Sequence, residues 1–187
     1  MDTLVIGTGI ANTASVLAAL KRVGARPRLS VDPAEVQSAE RVVLPGVGSF
    51  AVGMERLNQT GLADILRARI DAGRPTLGIC LGMQLLGTGS DEAPGVAGLG
   101  VAPMVARRFP ETLVVPQLGW NEVSVPAGSG LLTTGSAYFA HSFRVTEPPA
   151  GWRVARTEYG RPFVAAIERG AVLACQFHPE LSGAWGL

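Results

Sequence analysis

The segment Leu77-Gly78-Ile79-Cys80-Leu81-Gly82-Met83-Gln84 limits the folds open to this chain more than any other stretch. A short apolar run, Thr76–Ile79, leads directly into Gly-x-Cys-x-Gly. A helical run carrying Met83, Leu85 and Leu86 leaves it. A strand passes into a helix this abruptly only through a tight turn, which brings neighbouring backbone close to positions 78 and 82. Glycine tolerates that approach because it has no Cβ. The arrangement is the cysteine counterpart of the Gly-x-Ser-x-Gly turn. It predicts strand, turn and helix in immediate succession, with Cys80 at the helix N-terminus.

The rest of the first half alternates in the same way. Leu4-Val5-Ile6, ended by Gly7, reads as a buried strand. Asn12 is the expected cap of a helix on which Val16, Ala19, Leu20 and Val23 share one face, stopped by Gly24. Arg28–Val31 is a second strand, followed by Asp32-Pro33 as N-cap and first helical residue. Arg41–Leu44 is a third, ended by Pro45-Gly46. Leu62, Ile65, Leu66 and Ile70 mark a helix closed by Gly73. This β-α-β-α rhythm predicts an α/β fold, an open and mostly parallel sheet flanked by helices on both faces. The second half changes character. Thr112–Val115, Glu122–Val125, Ala137–Val145 and Trp152–Thr157 are strand-like runs. Phe163–Glu168 and Ala171–Phe177 read as a hairpin turning at Arg169-Gly170. Antiparallel strands are therefore expected to join the sheet late. At 187 residues one domain, 1–187, is expected, with Gly87–Gly100 a loop rather than a linker.

Composition removes several functional classes. The formal net charge is +1, so no clustered positive field points to nucleic acid or an anionic membrane. No apolar run reaches the ~18–20 residues that span a bilayer. Met1–Gly7 lacks the basic and apolar regions of a signal peptide, so a cytoplasmic location is expected. Two cysteines and two histidines make a dedicated zinc site an unsuitable reading, and no metal or cofactor is expected. Gly7-Thr8-Gly9-Ile10-Ala11-Asn12 has Asn where a dinucleotide fingerprint ends in Gly, and no phosphate-loop motif occurs.

At a helix N-terminus Cys80 faces unpaired N–H groups carrying about half a positive charge in effect, which favours thiolate, the attacking species. The Leu81 N–H is placed to donate to an oxyanion. Gln84, one turn on, lies on the nucleophile's face. Taken alone, Cys80 also fits a small buried apolar residue. Cys175, in the apolar run Ala171–Cys175, reads as structural, with no disulfide to Cys80. A base must be His141 or His178. Pro179 holds His178 extended, so His178 and Glu180 share a face, and the carboxylate can orient the ring. Glu180 read alone is equally a surface carboxylate. His141 has no carboxylate nearby, and is either a hydrogen-bonded strand residue or one lining the site. Pro45-Gly46-Val47-Gly48 would lie beside the Cys80 turn if strands three and four are neighbours, with Gly48 a second oxyanion donor; a tight turn without a ligand role is the alternative.

With these strings together, the chain resembles class I, triad-type glutamine amidotransferases, and more narrowly the glutaminase subunits of imidazole glycerol phosphate synthase. LPGVGSF (Leu44–Phe50), GICLGMQLL (Gly78–Leu86), LGWN (Leu118–Asn121), YFAHSF (Tyr138–Phe143) and QFHPELSG (Gln176–Gly183) carry the likeness. The resemblance implies a flavodoxin-like fold and hydrolysis of glutamine to glutamate and ammonia. It implies Cys80 as nucleophile, His178 as base and acid, and Glu180 as its orienter. It places the oxyanion hole at Leu81 and the Gly48 region, with Gln84, His141, Ser142 and Phe143 holding the substrate. The implied partner is a (β/α)8-barrel cyclase subunit that receives ammonia and makes imidazole glycerol phosphate and AICAR for histidine biosynthesis. It also implies a glycine corner that reorients before the oxyanion hole forms. Members usually have Asp-Tyr-Gly-x-Gly-Asn where this chain has Gly7–Asn12, His at Gln117 and Lys at Leu181, and continue into a last helix past the position of Leu187. A glutaminase serving another synthase and a non-catalytic assembly subunit are the rival readings.

Overall fold

The computed structural model describes residues 1–7, 13–46, 48–126, 128 and 130–187. Its main sheet has seven strands. In chain order these are β1 (Asp2–Ile6), β2 (Arg26–Ser30), β3 (Val42–Leu44), β4 (Thr76–Ile79), β10 (Arg153–Tyr159), β11 (Arg161–Arg169) and β12 (Val172–Cys175). Their spatial order is β10-β11-β12-β4-β3-β1-β2. The five strands β12, β4, β3, β1 and β2 run parallel, and β10 and β11 are added antiparallel at one edge. The predicted sheet is thus the observed one.

Strand periodicity divides the core in two. Leu4, Ile6, Val42, Leu44, Val172 and Ala174 face one side, packed by α2 (Pro33–Ser38), α3 (Phe50–Gln59), α4 (Leu62–Asp71) and α5 (Leu81–Leu85). Val5, Val43, Ile79 and Cys175 face the other, covered by α1 (Thr13–Arg22) and by apolar side chains of the second half. Successive side chains of a strand point to opposite faces, so each run of apolar residues serves both layers. The hairpin of β7 (Gln117–Val123) and β8 (Gly135–His141) lies outside the main sheet, as does a small sheet of β5 (Gly89–Ser90), β6 (Val105–Arg108) and β9 (Phe143–Arg144).

Several expectations need correction. Thr112–Val115 is not a strand: Leu113 N–H closes a turn on the Pro110 carbonyl, Val114 is exposed, and Pro116 follows through a cis peptide. Its β-branched residues find no partner strand between two prolines that lack donors. The late hairpin exists, but Arg169 pairs with Val172, so Gly170-Ala171 makes the turn, with Gly170 at φ 61°. Gly87–Gly100 contains β5, and Ala137–Val145 breaks at Ser142. Helix α3 and strand β6 had no counterpart in the sequence reading. Asn12, the expected cap of α1, lies outside the described residues, as does Val47.

A buried arginine fastens the amino ends of β3 and β4. Arg69 on α4 is 2% exposed. Its guanidinium donates to the carbonyls of Val36, Ala39, Glu40 and Pro75 and to Thr76 Oγ1. Burial, with neighbouring Arg74, pulls its pKa down to about 10.

Candidate active site

Cys80 sits between β4 and α5 with φ 53° and ψ −108°, the one non-glycine residue at positive φ among those described. That conformation costs an L-residue on the order of 1–3 kcal/mol and persists only where the surroundings impose it. Here they do. The Cys80 N–H donates to the Cys175 carbonyl on β12 (2.7 Å), and its own carbonyl accepts from Met83 and Gln84 N–H. A Cβ on Gly82 would drive into the Leu44 carbonyl of β3. One on Gly46 would lie 2.7 Å from the Gly82 nitrogen. The glycines of the turn and corner are therefore required by the closeness of β3 to β4, which are neighbouring strands.

The His178 ring is brought to the sulfur by the segment after β12. The backbone N–H of His178 donates to the Tyr138 carbonyl on β8 (2.9 Å), and Ser182 Oγ donates to the His178 carbonyl (2.6 Å). His178 Nδ1 lies 2.8 Å from Glu180 Oε1, with both side chains buried. Burial pulls the imidazole pKa down. Hydrogen bonds to Cys80 and Glu180 and the charge of both outweigh it, lifting the pKa to about 10. The ring is therefore a proton holder at neutral pH, placed between sulfur and carboxylate.

A cleft of about 240 Å³ opens on Cys80. Gly48, Leu81 and Gln84 form one wall, and Ala140, His141, Ser142 and Phe143 another. Every predicted substrate or oxyanion position thus lines this cleft, while His178 and Glu180 sit behind the sulfur. Gly48 has φ 104°, which favours glycine. The Leu81 N–H, expected to face an oxyanion, instead donates to the Gly46 carbonyl (3.3 Å). His141 is buried, and burial lowers its pKa to about 4, so the ring is neutral. Its Nδ1 meets the Phe143 carbonyl at 2.8 Å. Among the described residues no cluster of His, Cys, Asp and Glu could hold a metal ion.

Two residues around the nucleophile, Glu92 in the cleft and Gln176 buried behind it, escaped the sequence reading. Glu92 brings a carboxylate to the cleft, and its Oε2 accepts the Phe50 N–H at the start of α3 (2.8 Å). Gln176 donates to Cys80 Sγ (3.6 Å). Glu92 stands in a glycine-rich loop with no periodic pattern to mark it. Gln176 adjoins the His178 motif, and a polar residue ending an apolar strand was the signal available.

A cysteine on a strained strand-to-helix turn, backed by a carboxylate-oriented histidine, defines a triad-type thiol enzyme of the class I amidotransferase kind. The family model for glutamine amidotransferase class-I matches residues 4–184. The imidazole glycerol phosphate synthase subunit HisH of Streptococcus gordonii is 46% identical, over 98% of this chain and 91% of its own length. That of Symbiobacterium thermophilum is 44% identical, over 98% and 89%. The chain belongs to the class I glutamine amidotransferases and, among them, to the HisH subunit family. A crystal structure of a glutamine amidotransferase superposes with a TM-score of 0.78 at 21% identity, over 95% of this chain and 90% of that one. PurLQS from Thermotoga maritima gives 0.71 at 18% identity, over 96% and 87%. These two likenesses concern the fold.

Proposed function

We propose that this chain hydrolyses glutamine through a Cys80 thioester and delivers the ammonia to a (β/α)8-barrel cyclase subunit that makes imidazole glycerol phosphate and AICAR. The observation that carries the chemistry is the short His178–Glu180 contact with Cys80 on the ring's other side. The Cys80 thiolate attacks the carboxamide carbon, and the tetrahedral oxyanion needs donors. Leu81 N–H becomes one when the Gly46 carbonyl moves off it, and Gly48 is the candidate second. One such donor lowers the barrier by about 3–4 kcal/mol. His178 gives its proton to the departing ammonia, leaving the glutamyl thioester. It then takes a proton from water, whose hydroxide attacks the thioester. Glutamate leaves and the thiolate returns.

Glu92 is suited to the substrate's α-ammonium, with one carboxylate oxygen held by Phe50. Ser142 and Phe143 supply backbone to the amino-acid end. The two amide hydrogens of Gln84 are already used by Phe143 and Gln176, so Gln84 offers substrate an oxygen. Beside the cleft, Leu118, Trp120 and Leu181 are 65%, 57% and 43% exposed. Apolar side chains this exposed on two adjoining segments suit a protein partner's surface, and the relatives' name as synthase subunits supports the cyclase. No helix among the described residues is long and apolar enough to cross a membrane, and a biosynthetic role supports the cytoplasm.

The test is Cys80→Ala in complex with a purified barrel cyclase. Glutamine-driven turnover should vanish while ammonia-driven turnover remains. Survival of glutamine-driven turnover would refute the thioester, and failure of any barrel cyclase to accept the ammonia would refute the partner.

A further inference from the structure

We propose that Gln176 is a positioning residue of the nucleophile: its side-chain amide presents an N–H to the Cys80 sulfur, and Gln84 fixes the direction of that amide. The proposal rests on the glutaminase reading for its purpose, not for its geometry.

Gln176 is fully buried between Cys175, whose carbonyl anchors Cys80, and Phe177. Burying an amide is costly unless its polar atoms are partnered. The two ends of an amide have nearly the same shape, so neighbours decide which end points where. The Phe143 carbonyl can only accept. Gln84 must therefore turn its NH2 toward it, at 3.2 Å. The same NH2 faces Gln176 at 3.0 Å, so Gln176 must turn its oxygen that way. What remains for the sulfur, 3.6 Å distant, is the Gln176 N–H. One backbone carbonyl thus sets the polarity of a relay running Cys80–Gln176–Gln84–Phe143. The neutral His141 ring reinforces it, because its Nδ1 meets the same carbonyl and must donate there.

A thiol is a weak acceptor and a thiolate a strong one, so a donor held against sulfur favours the charged form. His178 supplies the place for the proton, and Gln176 makes the anion left behind cheaper to hold in a buried site. The titratable and charged groups around the sulfur are His178 and Glu180 after β12, Cys175 on β12, His141 with Arg144 from β8 and β9, and Glu92 across the cleft. None of them changes when residue 176 does.

The test uses the full chain with Gln176→Leu, Gln176→Glu and Gln84→Leu. Alkylation by iodoacetamide is followed at the Cys80 peptide by mass spectrometry across pH, and kcat and KM for glutamine are measured in the cyclase complex. Gln176→Leu should raise the alkylation midpoint by about 1–2 pH units, the worth of one hydrogen bond to a charged group. Gln176→Glu, almost the same shape, should raise it further, because a carboxylate turns lone pairs toward the sulfur. Gln84→Leu should raise it less. In Gln176→Leu, kcat should fall at neutral pH and recover as pH rises, with KM little changed. A midpoint that stays put in Gln176→Glu overturns the proposal, and that variant decides alone if Gln176→Leu does not fold. Alkylation uses no glutamine. A shifted midpoint in a chain whose wild type hydrolyses no glutamine would sink the functional reading and keep the relay; the reverse would sink the relay.

Discussion

Strands β3 and β4 end in opposite ways. At their amino ends Arg69 meets five acceptors, four of them carbonyls, and two of these are satisfied twice over, Pro75 by the Val42 N–H and Ala39 by Arg74. At their carboxyl ends the same strands deliver a residue with φ 53° and a carbonyl resting on the Leu81 N–H, and the later segments of the site bring buried atoms without partners, among them Glu180 Oε2, His141 Nε2 and Gln117 Oε1. The first end is saturated and the second is left wanting. A sheet carries an unsatisfied, strained site at one edge of its strands when the other edge is over-determined, because the frame must hold what the site does not stabilise. This is a physical reason for ligands to gather at the carboxyl ends of parallel strands.

The contrast breaks most sharply at the carboxyl end. Glu180→Gln leaves the fold in place but loses the charge that orients His178 as an ion-pair partner. Steady-state glutaminase assays should show kcat reduced about 10³- to 10⁴-fold, a loss that far exceeds the fall in urea stability from the weakened pair with His178. Substitution at the amino end should do the reverse. Arg69→Met takes the side-chain donor from the Val36 and Glu40 carbonyls and from Thr76, and urea unfolding should report a loss of about 2–3 kcal/mol. Turnover per folded molecule should stay within about twofold of the unaltered chain, because the site is at the far end. A large drop in kcat there would mean that the two ends are coupled.

The two histidines sharpen the comparison within the site. His141 has its folded pKa lowered to about 4, below the ordinary 6.5. Its contribution is therefore present above pH 6.5 and lost as pH falls toward 4, at most on the order of 3 kcal/mol. His178 has its folded pKa raised to about 10. Its contribution is full below pH 6.5 and disappears as pH rises through 10. Urea midpoints measured from pH 4 to 10 should show a maximum between these limits. His141→Gln should flatten the acid limb alone. The smallest effect is expected at the surface: Trp120→Ser should leave stability within about 0.5 kcal/mol, yet weaken binding of the proposed cyclase partner, measured by titration calorimetry, by about 2 kcal/mol.

The sheet and the triad geometry were legible because their signals are local. A strand meeting a helix at Gly-x-Cys-x-Gly fixes Cys80, and an extended His-Pro-Glu puts His178 and Glu180 on one side. Of the positions lining the cleft, Leu81 and Gln84 follow from the helix that starts at Cys80, and Gly48 from the neighbouring strands, whereas Ser142 and Phe143 came only from the likeness to the family. What escaped depends on residues far apart. Arg69 looks like any charged residue on an amphipathic helix, and only the convergence of its helix with residues 36–40 and 75–76 reveals its partners. Glu92 and Gln176 gain meaning from Phe50 and Gln84, which are remote in sequence. Thr112–Val115 has strand-like residues, but a strand needs a neighbour, and composition says nothing about whether one arrives.

The backbone at Cys80 has one more consequence. A glycine there would adopt φ 53° and ψ −108° with less strain, so Cys80→Gly should yield an inert molecule in which relief of the backbone is set against the lost contact with His178. The chain carries a less comfortable residue than its own geometry prefers. Released from its chemical duty, it could shed that strain, and this position would be the first place to look for that exchange.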